Sequence, residues 1–163
     1  MEKNRSALFL DRDGVINRMI KYETGWDSPQ SPEDVFLVPG IVEIIEWANE
    51  RSVPVIEISN QPGVAKGKMS VEKSMAIQLK VEELLSQNGA KIDAVYICPH
   101  QSTDRCECRK PRPGLLLRAS REMNIDLKKS VFLGDNESDA IAGKAAVCKT
   151  ILFLHDEDEP GKV

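Results

Sequence analysis

The sequence predicts an α/β fold, a three-layer arrangement in which helices cover both faces of a doubly wound parallel sheet. Apolar runs of strand length alternate along the chain with segments whose apolar residues recur at helical spacing. The first of these runs is continuous, as in a strand buried on both faces. Polar groups follow four of the runs at once, where an open α/β sheet places its ligand: Asp11-Arg12-Asp13-Gly14, Ser59-Asn60-Gln61, Cys98-Pro99-His100 and Gly134-Asp135.

The elements follow in order. Residues 7–10 (ALFL) are the first strand and end in Asp11. Residues 40–51 (GIVEIIEWANER) place Ile41, Ile44, Ile45 and Ala48 on one helical stripe. Residues 53–59 (VPVIEIS) are a second strand, closed by the turn-like NQPG. Ser70 is suited to cap a helix that runs to about Asn88, where Gly89 supplies a stop. Residues 92–97 form a third strand, and residues 114–124 a helix with Leu115, Leu116, Ala119 and Met123 on its stripe. Residues 131–133 and 150–154 are two more strands, flanking a helix over 138–146. Residues 22–32 (YETGWDSPQSP) read as a polar, turn-rich rim over the site, where Trp26 either faces a ring or packs within the loop. The acidic tail at 156–163 is expected to fray.

Composition bounds the function. A chain of 163 residues fits one domain, 1–163, and 41% hydrophobic with 29% charged residues is an ordinary globular balance. The net charge of −4 gives no global attraction to nucleic acid or an anionic membrane, so any anion site must be built locally. The apolar run near the N-terminus is too short for a signal sequence or a membrane span. These features lead us to expect a cytoplasmic protein with reduced cysteines, no nucleic-acid or membrane partner, and a monomeric state.

Asp11 and Asp13 can point into one site if Gly14 lets the backbone turn sharply, and Asp135 brings a third carboxylate to the same rim. Converging carboxylates repel unless a hard cation sits among them, and oxygen ligands of this kind suit Mg2+. Solvated turn aspartates are the plain alternative. It loses ground when Asp139, in GDxxxD, and Lys110, wedged between Arg109 and Pro111, are added.

Cys98, His100, Cys106 and Cys108 spell C-x-H-x5-C-x-C, a Cys3His set for a structural Zn2+. A disulfide is the weaker reading, because C-x-C pairs have awkward geometry and the expected compartment is reducing. Unrelated buried thiols would leave His100 unexplained. The loop stands where it can staple the segment delivering Arg109 and Lys110, and Cys148 reads as a small core residue.

FLDRDG, ISN, RKPRPG and LGDNESD occur in the order of the four motifs of haloacid-dehalogenase-like phosphohydrolases, and the chain resembles that family over most of its length. The resemblance implies a Rossmannoid core and assigns roles position by position. Asp11 resembles the nucleophile that becomes an aspartyl phosphate, and Asp13 the general acid/base. Ser59 and Lys110 resemble the groups that hold the phosphoryl oxygens. Asp135, with Asp11 and the Asp13 backbone carbonyl, resembles the magnesium set, while Asp139 positions Lys110 or a metal-bound water. The chemistry asks for the same parts, since a phosphate dianion repels a carboxylate until a metal and a cation offset the charge.

SNQPGVAKG and CPH…CxCRKPRPG are similar to the capless branch that contains heptose 1,7-bisphosphate phosphatases and histidinol-phosphate phosphatases. The chain leaves no room between motifs for a large cap. RKPRPGLL and AGKAA…KTILF lean toward the heptose enzymes, and the short gap from His100 to Cys106 toward the histidinol enzymes. A small phosphorylated sugar is the expected substrate. Ser59, Asn60, Gln61, Arg109 and Arg112 are its candidate contacts, the two arginines for a second phosphate. Asn136 stands where relatives often carry a basic residue, and Val147 where a glycine commonly closes the preceding helix. A non-catalytic zinc-stapled binding module and a nucleic-acid 3′-phosphatase are more remote readings; the acidic balance speaks against the latter.

Overall fold

Leu8, Phe9 and Leu10 are apolar on both sides of the chain, and they form the central strand of the sheet, β1 (Leu8–Leu10), with Phe9 and Leu10 fully buried. The computed structural model describes residues 5–155, so the tail at 156–163 lies outside the described residues. After β1 come a small hairpin, β2 (Ile20–Tyr22) and β3 (Gly25–Asp27), and then α1 (Ile41–Glu50), β4 (Val55–Asn60) and α2 (Val71–Gln87). The chain continues through β5 (Ala94–Cys98), α3 (Gly114–Met123), β6 (Val131–Gly134), α4 (Glu137–Ala145) and β7 (Lys149–Leu152). Five strands make one parallel sheet in the order β5-β4-β1-β6-β7.

Alternating side chains divide the interior into two layers. Phe9, Ile56, Ile58 and Phe132 face α3 and α4, where Leu115, Leu116, Ala119 and Ala142 meet them. Leu8, Leu10 and Val55 face the other way, against Ile41 and Ile45 of α1 and Ile77, Val81 and Leu85 of α2. Ser70 caps α2, its hydroxyl accepting the Lys73 N–H at 3.1 Å. Among the described residues no helix is long and apolar enough to cross a membrane.

The sheet order reverses between β1 and β6, which puts the carboxyl ends of these two strands side by side at the topological switch point. Asp11 and Asp135 follow those ends directly. No second domain covers this edge among the described residues. The hairpin is the only regular structure between β1 and α1 besides a short 3-10 turn at Pro32–Asp34.

That hairpin departs from the sequence reading, which treats residues 22–32 as a loop. Tyr22 pairs with Gly25 across a tight turn, and Gly25 has φ +114°. Its strands are too short and polar to show alternation. Tertiary bonds fix it: Tyr22 Oη donates to Asp34 Oδ2 at 2.6 Å and accepts the Gln30 N–H at 2.9 Å. The last strand also begins one residue earlier than its apolar run, at Lys149.

Both positions that depart from the family pattern have structural roles at the ends of α4. Asn136 is its N-cap, accepting the Asp139 N–H at 3.1 Å. Val147 closes it in a Schellman arrangement, with Val147 N–H bonded to Lys144 O at 3.0 Å and Cys148 N–H to Gly143 O at 2.9 Å. This closure holds Val147 at φ +56°, a left-handed conformation that opposes a β-branched side chain. Val147 is 59% exposed, so little packing depends on it. Val147→Asn is therefore expected to stabilise the protein by about 1 kcal/mol, read as a higher urea midpoint at unchanged slope.

Candidate active site

Gly14 and Gly134 set how closely the acidic groups approach. Gly14 turns at φ +91°, and a Cβ there would lie 1.9 Å from Asp135 Oδ2. A Cβ on Gly134 would lie 2.4 Å from that of Asp139. Their bare backbones let β1 and β6 bring Asp11, Asp135 and Asp139 together, with one ligand oxygen of each within 4.8 Å of the others.

Lys110 enters from the opposite side and is 3% exposed. Its Nζ meets Asp139 Oδ1 at 2.7 Å and Asp11 Oδ1 at 2.9 Å, and it donates to Ile58 O at 2.9 Å. Burial disfavours the ammonium, but Asp11 and Asp139 outweigh it and hold the Lys110 pKa above its ordinary value. Asn60 locks the backbone of this residue. Its Nδ2 donates to Lys110 O and its Oδ1 accepts Lys110 N–H, both at 3.1 Å. The Asn60 amide thus serves Lys110, although the sequence places it among the substrate contacts.

Burial raises the Asp11 carboxyl well above the usual range, and Asp139 and Asp135 add to the rise against the pull of Lys110. Asp135 is raised too, by burial and by Asp139, while His155 opposes the shift. His155 Nε2 lies 3.5 Å from Asp135 Oδ2. Hard oxygen donors whose ionisation is this unfavourable together fit a divalent cation, which would reverse the penalty.

Asp13 behaves in the opposite way. Burial resists its ionisation, yet Arg12 and hydrogen bonds from Asn17 and Gln61 hold its carboxyl below the usual range. Arg12 Nε meets Asp13 Oδ1 at 3.0 Å, and Asn17 Nδ2 donates to the same oxygen at 2.9 Å. Gln61 Nε2 donates to Asp13 Oδ2 at 2.7 Å and to Ser59 Oγ at 2.8 Å, and Ser28 Oγ donates to Asp13 Oδ2 at 2.8 Å. The rim segment thus reaches the site through Ser28, while Trp26 stands under Lys21, whose Nζ is 5.7 Å from the ring centroid.

The cysteine loop forms as the spacing predicts. Cys98 Sγ lies 3.0 Å from Cys108 Sγ and 3.6 Å from Cys106 Sγ, with His100 Nδ1 3.4 Å from Cys98 Sγ and 3.3 Å from Cys108 Sγ. No disulfide joins them. Zinc–sulfur bonds of about 2.3 Å imply tetrahedral edges a little longer than these, so the four groups can hold Zn2+ after a small expansion. Burial opposes thiolate formation at Cys106, but a backbone bond from Arg109 and the neighbouring thiols bring its pKa down to about 6. Arg109 Nη1 donates to His100 O at 3.0 Å, and the Arg112 guanidinium donates to Cys106 O. Both arginines brace the loop and line a shallow cleft with Arg105 and Gln101. Cys148 is buried in the core and is not one of the four grouped ligands, as expected.

Sequence reasoning passed over Arg12, Asn17, Ser28, Gln78 and Glu57. Only Glu57 left a signal, a charge inside the apolar run VIEIS. It is fully buried, with Gln78 Nε2 donating to its Oε1 at 2.9 Å. Burial raises its pKa to about 7 against the attraction of Arg12.

A parallel sheet with aspartates at a switch point, a buried lysine between them and a second aspartate two residues beyond the first defines a phosphohydrolase of the haloacid-dehalogenase-like type. The HAD-hydrolase-like family matches residues 107–163. D-glycero-alpha-D-manno-heptose-1,7-bisphosphate 7-phosphatase of Campylobacter jejuni is 37% identical over 95% of this chain and 86% of its own length. The D-glycero-beta-D-manno-heptose-1,7-bisphosphate 7-phosphatase of Helicobacter pylori (strain 26695) is 37% identical over 91% of this chain and 83% of its own. The crystal structure of D,D-heptose 1,7-bisphosphate phosphatase from B. bronchiseptica, complexed with magnesium and phosphate, superposes with a TM-score of 0.82 at 32% identity, covering 90% of this chain and 79% of that one. The chain belongs to the haloacid-dehalogenase-like phosphatases, in the branch of the heptose bisphosphate phosphatases.

The raised pKa of Glu57 makes a stability prediction. A carboxyl that binds its proton more tightly when folded loses stability as pH rises from its unfolded pKa, 4.5, through about 7. Glu57→Gln removes this loss. Compared with wild type, the variant should gain up to about 3 kcal/mol between pH 4 and pH 8, measured by denaturant unfolding at both ends. A difference independent of pH would mean that Glu57 is not the titrating group.

Proposed function

We infer that this chain is one catalytic domain that removes a phosphate from a small phosphorylated sugar, with Asp11 as nucleophile. The observation that carries this reading is the contact of Lys110 Nζ with Asp11 and Asp139 at 2.9 and 2.7 Å, which sets a carboxylate and a fixed cation at one strand end. The Asp11 carboxylate attacks phosphorus, the ester P–O bond breaks, and the leaving oxygen takes a proton from Asp13. Water then gives a proton to Asp13 and attacks the aspartyl phosphate, which releases inorganic phosphate and restores Asp11. The resting Asp13 is ionised, the form needed for the second step. An approaching phosphate raises its proton affinity for the first, because neighbouring negative charge disfavours a carboxylate.

Asp11, Asp135 and the Asp13 carbonyl would hold magnesium, which when bound offsets the charge of the phosphoryl oxygens. Lys110 neutralises the same region from the protein side, with Asp139 holding its ammonium. Ser59, whose hydroxyl accepts from Gln61, is the second candidate for the phosphoryl oxygens. Cys98, His100, Cys106 and Cys108 would hold zinc and keep the Lys110 segment in place.

For the substrate we adopt D-glycero-D-manno-heptose 1,7-bisphosphate, cleaved at the 7-phosphate as the relatives' names state. The cleft lined by Arg105, Arg109 and Arg112 supports this choice, since guanidinium groups suit a second phosphate. Asp11→Asn should abolish phosphate release from a folded protein, and Asp13→Asn should slow it by about 10²–10⁴-fold. A substrate panel tests specificity, and preference for histidinol phosphate by about tenfold, or 1.4 kcal/mol, would overturn the sugar assignment.

Elemental analysis of protein purified without chelator should find a single zinc per chain. Stripping it should expose Cys98, Cys106 and Cys108 to thiol reagents and depress activity through Lys110, because a structural metal contributes folding free energy. Full activity in zinc-free protein would remove the structural role.

A further inference from the structure

A line of polar side chains runs from inside the sheet to Asp13. It begins at Glu57 on β4, on the face covered by α2, where Oε1 accepts from Gln78 Nε2 at 2.9 Å. The carbonyl of the same amide, Gln78 Oε1, accepts from Arg12 Nη1 at 3.0 Å. Arg12 is 2% exposed and grips Asp13 through Nε at 3.0 Å and Nη2 at 3.4 Å. Gln61 Oε1 takes another Nη2 hydrogen at 2.9 Å.

Stability does not account for Glu57. Its ionised form is costly in the sheet interior, and Oε2 has no hydrogen-bond partner. What the carboxylate supplies is polarity. An ionised carboxylate only accepts and a guanidinium only donates, so an amide between them satisfies both in one orientation, amino group to Glu57 and carbonyl to Arg12. Glu82 Oε1, 3.2 Å from the same amino group, favours that orientation too. The oriented carbonyl then fixes one edge of the guanidinium while the other edges hold Asp13 and Gln61.

We propose that Glu57 and Gln78 are positioning residues for proton transfer, acting through Arg12 to fix the Asp13 carboxyl group that protonates the leaving oxygen. The proposal rests on Asp13 being the acid/base of the reaction. It also predicts a selective effect. A primary alkoxide leaves poorly without a proton, whereas 4-nitrophenolate leaves without one, so a displaced acid slows alkyl esters and spares the aryl ester. A variant that merely loosened the fold would slow both alike.

The experiment compares kcat/KM for a hexose 6-phosphate and for 4-nitrophenyl phosphate in the full chain loaded with magnesium and zinc. Glu57→Gln keeps the shape of the residue and removes its charge; Gln78→Met breaks the line at constant charge, and serves if the first variant folds poorly. Asp13→Asn is the reference. Both variants should lose about tenfold on the alkyl ester and less than about twofold on the aryl ester, in the direction that Asp13→Asn takes further. Equal losses on the two esters, with Asp13→Asn still selective, overturn the positioning role and leave Asp13 as the acid. An unselective Asp13→Asn overturns the acid role itself, and the proposal with it.

Discussion

The ammonium of Lys110 is what permits Asp11 and Asp139 to stand beside each other below the surface of the molecule. Burial and the neighbouring carboxylates push the Asp11 carboxyl toward its neutral form, and Lys110 pulls the other way without cancelling the rise. The lysine spends its three donors on two carboxylates and a backbone carbonyl, so it is itself fully satisfied while buried. Such a group needs a rigid backbone. The Asn60 amide bridges both polar groups of the Lys110 backbone, and the cysteine loop fixes the chain just before it. The strand β4, the loop and the lysine therefore form one unit.

Much of this organisation was visible in the residues alone. The central strands β1, β4 and β6 coincide with apolar runs, because a strand covered on both faces has little choice of side chain. The exposed edge strand β7 starts at a lysine ahead of its run. Asp11, Asp13, Asp135 and Asp139 were legible because they immediately follow strands or share a short motif, and the Cys3His spacing is specific enough to stand without a fold. What escaped lies at longer range. The β2–β3 hairpin depends on Tyr22 reaching Asp34. The partnership of Arg12, Gln61 and Gln78 joins three separate segments, and no local pattern marks it. Asn60 looked like a ligand contact since it follows a strand, but its amide is drawn to a backbone fifty positions away.

Two electrostatic environments lie within a few residues of each other. Asp11 is made reluctant to ionise by burial, with two carboxylates adding to the effect against Lys110. Asp13, also buried, is gripped by Arg12 and amide donors and ionises readily. Carboxyls separated in proton affinity by their surroundings can take different tasks in one reaction. Here the separation has a sequence origin. Arg12 lies between the two aspartates but points to Asp13, and Lys110 comes from a distant motif to serve Asp11.

The hairpin at the mouth is held by other means than the floor. Ser28 touches Asp13 through a single hydroxyl, and Asp27 meets Lys68 at 2.8 Å in a half-exposed pair that dissolved ions readily screen. Buried contacts at Lys110 and Arg12 have no such access to solvent. The site therefore passes from buried contacts at its floor to half-exposed, screened ones at its mouth. Where no second domain covers the site among the described residues, an entrance held in this way can adjust without disturbing the buried groups beneath it.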